Sequence, residues 1–70
     1  MPNFSEANQV RLGLKMKLSN FAWYNSSHIE AIDDGFSIIV SLKHLDNKIR
    51  KIIPPVIDGT SIKIEVEQNR

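Results

Sequence analysis

The tripeptide Asp33-Asp34-Gly35, set between two runs of alternating apolar residues, limits the fold of this chain more than any other feature. Asp34-Gly35 suits a two-residue type I′ turn, because Gly accepts φ > 0 without cost and Asp tolerates it. That turn fixes a register. Asp33 faces Phe36, Ala31 faces Ile38, Ile29 faces Val40 and Ser27 faces Leu42. One face of the hairpin then holds Ile29, Ala31, Phe36, Ile38, Val40 and Leu42. The other holds His28, Glu30, Ile32, Ser37, Ile39, Ser41 and Lys43. Side chains alternate between the faces of a strand, so turn chemistry and pattern point to one hairpin, 28–33 with 36–43.

Beyond Lys43 the period lengthens. Leu45, Ile49, Ile52 and Ile53 form a helical stripe, with Lys48, Arg50 and Lys51 on the other side. Asp46 suits the start of this helix and Lys51 its end. Pro54-Pro55 terminates it, since a residue before proline is pushed out of the α region. The spacing therefore predicts a helix over 45–53. Asp58-Gly59 marks a second turn, and Ile62, Ile64 and Val66 alternate with Lys63, Glu65 and Glu67 in a half-buried strand over 60–67.

Two patterns overlap in the N-terminal third. Val10, Leu12, Leu14, Met16 and Leu18 alternate as in a strand, while Ala7, Val10, Leu14, Leu18 and Phe21 keep helical spacing. The residue types favour a helix over 5–19, for Val10 is the one β-branched residue among Ala, Leu, Met, Lys, Arg and Gln. Asn3 with Glu6, or Ser5 alone, is suited to cap it. The expected fold is α+β in the order α-β-β-α-β. It is a small three-stranded, mainly antiparallel sheet with helices on one face. The last strand runs parallel to the second strand beside it, or lies antiparallel beside the first. Residues 1–70 make a single small domain, with 1–4 and 68–70 frayed.

The ending Ile53-Pro54-Pro55-Val56-Ile57-Asp58-Gly59-Thr60-Ser61-Ile62-Lys63-Ile64 resembles the "iP…idG…V.V" close of small bacterial αββαβ modules. Such modules stand alone or beside trypsin-like protease domains. The resemblance covers residues 36–66. It implies a strand–turn–strand ending and carries over no catalytic residue, since no protease triad can be assembled here.

Composition narrows the function classes. Leu, Ile, Val and Phe account for 22 of 70 residues, well above the level of a disordered chain. Cysteine is absent, which excludes disulfides, thiolate zinc sites and cysteine nucleophiles and fits a reducing, cytoplasmic setting. The first residues show neither a basic n-region nor an apolar core of a signal peptide. His28 and Glu30 share a strand face, but two ligands from one strand do not make a metal site. Asp33 and Asp34 sit at a hairpin tip, which offers no dry pocket for acid–base work. Phosphate loops and HExxH are absent, and 70 residues leave little volume for a cleft. The expectation is a module without catalysis or cofactor.

Two surfaces remain. If 5–19 is helical, Leu12 and Met16 lie on the side away from the main stripe, and Trp23 extends theirs. One helix cannot bury both stripes in one small sheet, so Leu12, Met16 and Trp23 form the expected protein interface, with the chain itself or with another protein. The rival is a nucleic-acid surface of Arg11, Lys15, Lys43, Lys48, Arg50 and Lys51, with Phe21, Trp23 and Tyr24 near enough in sequence to stack bases. Against it stand a net charge of only +1 and the ordinary role of helix lysines as a solvated face. No membrane contact is expected.

Overall fold

The computed structural model describes residues 3–67. The first helix, α1, spans Phe4–Leu18, so the helical pattern prevails over the alternating one. Its start explains why. The Asn3 side chain accepts from the Glu6 N–H at 2.9 Å, and the Glu6 carboxylate reaches back to the Asn3 N–H. This capping box satisfies two backbone donors reciprocally. Asn3 and Phe4, expected to fray, are thus the cap and first residue of the helix. The fraying expected at 1, 2 and 68–70 lies outside the described residues. Lys15 and Lys17 in the last turn complement the helix dipole.

Strand β1 spans Tyr24–Ile32 and β2 spans Gly35–Leu42, joined antiparallel. The loop is Asp33-Asp34, one residue earlier than the turn chemistry suggested. Ile32 faces Gly35, Ala31 faces Phe36, Ile29 faces Ile38 and Ser27 faces Val40. Every partner moves by two residues along β2. A shift of two keeps each side chain on its face, so the two-sided pattern is the same in both registers. Packing selects the observed one. It lines up Ile29, Ile38 and Ile62 across three strands, and it sets the ring of Phe36 edge-on to Phe4 at 5.7 Å. The type I′ turn does not form here. Among the described residues Asp58 is the one non-glycine with positive φ, and Gly35 takes up the tight corner with φ 149°.

The shifted loop also lengthens β1. To match Leu42 it starts at Tyr24 rather than near 28, and the ladder slips between Tyr24 and Ser26, where Asn25 is the extra residue of a bulge. After β2, helix α2 spans Asn47–Ile52, shorter than the predicted 45–53. Asp46 caps it by accepting from the Ile49 N–H at 2.9 Å, and the chain turns extended at Ile53 ahead of Pro54-Pro55.

Among the described residues the sheet has four strands, not three, in the order β1-β2-β4-β3. The extra strand, β3, is Val56–Ile57, and β4 spans Thr60–Val66. Asp58 and Gly59, with φ 49° and 79°, join them and supply the positive-φ turn that the hairpin lacks. β4 lies beside β2 and parallel to it, and α2 provides the long crossover that parallel pairing requires. The sheet is therefore mixed, with two antiparallel pairings, β1–β2 and β3–β4, on either side of one parallel pairing, β2–β4. β3 escapes the alternation argument because two residues are too few to show a period.

Leu14 and Leu18 of α1, Ile49 of α2 and Ile53 pack with Ile38, Val40, Leu42 and Ile62 in one buried cluster. Both helices therefore cover the same face of the sheet. The other face presents His28, Glu30, Ser37, Ser61, Lys63 and Glu65.

Candidate interaction surface

α1 buries Ala7, Leu14 and Leu18 and half-buries Val10. At 3.6 residues per turn Leu12 and Met16 fall one turn apart on a different side of the helix. Leu12 is 42% exposed and Met16 76%. The sheet is already matched to the first stripe, and among the described residues the second is left exposed.

Trp23 has a different setting. It lies between α1 and β1, half-buried against the core. Its ring stacks on Phe21, with centroids 4.7 Å apart and planes inclined by 19°. Phe21 is in turn partly exposed, although its spacing placed it on the buried stripe. The helix ends at Leu18, and past that point the 3.6-residue period no longer governs direction. The Phe21 N–H instead bonds back to the Leu18 carbonyl, which turns the chain toward β1.

Ile32, at the hairpin end, is partly exposed as expected from its face. Ile39 shares that face but is only 2% exposed. It sits between His28 and Lys63 on the neighbouring strands, in the middle of the sheet, where longer side chains screen it.

Lys15, Lys43, Lys48, Arg50 and Lys51 are all exposed. Arg11 is half-buried, and its guanidinium donates to the Asn8 side-chain oxygen from Nε at 3.1 Å and from Nη2 at 2.9 Å. One flank of α1 carries Glu6, Val10, Gly13 and Lys17, which face Pro54, Ile57 and Asp58 across an open groove of about 550 Å³. Helical spacing puts Arg11 and Lys15 on the opposite flank. The groove is a feature that sequence reasoning missed. Its one trace was Gly13, an unfavourable residue inside a helix, where an added Cβ would meet nothing within 4 Å.

Among the described residues no three His, Asp or Glu side chains gather into a possible metal site. No helix of the described residues is long and apolar enough to cross a membrane. Comparison of the chain with protein-family models, with curated proteins and with solved structures gives no match.

Proposed function

We propose that this chain is a small protein-interaction module that binds another protein or a second copy of itself and performs no catalysis. The observation that carries this reading is the pair Leu12 and Met16, exposed on a capped helix whose core-facing side is already filled. The Phe21–Trp23 stack adds a further apolar surface beyond the end of the same helix. Covering Leu12 and Met16 is worth roughly 3–6 kcal/mol of apolar burial before the entropic cost of association, enough for reversible binding. A cysteine-free chain suits a reducing, cytoplasmic setting for such contacts.

The test is the double substitution Leu12→Gln with Met16→Gln. The expected result is an unchanged circular-dichroism spectrum and melting temperature, with association reduced in sedimentation velocity. An unfolded double variant would place both residues in the core and overturn the reading. Tight oligonucleotide binding with a steep dependence on salt would replace it with the nucleic-acid reading through Lys43, Lys48, Arg50 and Lys51.

A further inference from the structure

β1 is an outer strand of the sheet, paired on one side to β2. The direction of its free hydrogen-bonding groups follows from the ladder. A two-residue loop makes Ile32 and Gly35 a hydrogen-bonding pair. Alternation along an antiparallel ladder then turns the N–H and C=O of Ser27, Ile29 and Ala31 away from β2. The bond from the Lys43 N–H to the Trp23 carbonyl, 2.8 Å, keeps the same phase beyond the bulge. The bulge at Asn25 confines regular pairing to Ser26–Ile32, whose midpoint is Ile29.

A two-fold axis through Ile29 uses that whole segment. It sets Ile29 against Ile29 of the other copy, His28 against Glu30, Ser27 against Ala31 and Ser26 against Ile32. The outward groups of Ser27, Ile29 and Ala31 then satisfy one another as hydrogen-bonded pairs. His28 and Glu30 fall at the closer, non-bonded pairs, where cross-strand side chains approach most nearly. The imidazole N–H donates to the carboxylate, and the match occurs twice by symmetry. His28 and Glu30 are both exposed, and no side-chain hydrogen bond occupies either within the described residues of the single chain. On the helix-covered face, half-buried Ile29 meets its own copy and completes its burial.

We propose that β1 is the seam of a homodimer, joined antiparallel about Ile29 into one continuous sheet. The proposal rests on the reading of the chain as an interaction module and names the partner as a second copy.

Sedimentation equilibrium on the full chain, from micromolar to millimolar, tests it together with amide exchange by NMR. The expected result is a reversible dimer in which the amides of Ser27, Ile29 and Ala31 gain protection as concentration rises. Those of His28 and Glu30, bonded to β2, stay protected throughout. His28→Glu opposes two carboxylates at each pair and weakens the dimer about tenfold, and adding Glu30→His to it restores the match and the affinity. A dimer indifferent to these changes but lost on substituting Leu12 and Met16 would overturn the β1 seam and leave the interaction module standing. A chain monomeric at millimolar concentration would overturn self-pairing altogether.

Discussion

The hydroxyl of Thr60 is buried and has no hydrogen-bond partner among the described residues. A buried unsatisfied hydroxyl costs more than the methyl that replaces it, so Thr60→Val is expected to raise stability by about 1 kcal/mol in urea unfolding. Gly13 offers a second gain. It lies inside α1 with open space where a Cβ would stand, so Gly13→Ala removes a helix penalty without a clash. An increase of about 0.5–1 kcal/mol is expected from the same measurement. Gly35 behaves in the opposite way. Its φ of 149° closes the β1–β2 loop, and Gly35→Val imposes a β-branched side chain on it. A loss of about 1–3 kcal/mol is expected in thermal unfolding.

Among the elements, α2 is too short to be stable alone and depends on its anchors. Ile49 is its one fully buried residue, and Ile49→Ala is expected to cost about 2–5 kcal/mol. In a domain of this size that is a large part of the total, so chemical denaturation would show an early transition or none. The hairpin admits a direct check of register. Ile29 and Ile38 are a non-bonded pair, which brings their Hα atoms together, so a strong nuclear Overhauser effect between them is expected. One between Glu30 and Ile39, a non-bonded pair only in the alternative ladder, would restore the register implied by an Asp34-Gly35 turn.

The same elements show what was legible beforehand. The faces of the hairpin were, because the alternation of Phe36, Ile38, Val40 and Leu42 survives any shift of two. The loop position was not, because local preference for Asp34-Gly35 competes with the alignment of Ile29, Ile38 and Ile62, and the Ile38–Ile62 contact joins residues far apart in sequence. The stop at Pro54-Pro55 was readable from residue type alone, whereas for α1 residue type left Asn3 and Ser5 both open as the cap. Of the candidate surface, Leu12 and Met16 followed from helical spacing. The settings of Trp23 and Phe21 did not, since both lie past the last helical residue.

At the scale of the whole molecule, the sheet is covered by helices on one face and lined on the other by serines and charged residues. Its two margins are unequal. β1 offers a long row of backbone groups, interrupted at Asn25, whereas β3 is two residues long and follows two prolines, which have no N–H to donate. β3 pairs only with Thr60 and Ser61, so among the described residues β4 from Lys63 to Val66 has no strand on its outer side. That stretch carries Lys63 and Glu65, and charged side chains discourage edge-to-edge pairing. A two-fold pairing through β1 uses the longer continuous margin of both chains and leaves these short, charged stretches at its two ends. Light scattering on concentrated protein is therefore expected to show the dimer as the main species. The charges on β4, rather than the brevity of β3 alone, are what oppose growth into ribbons.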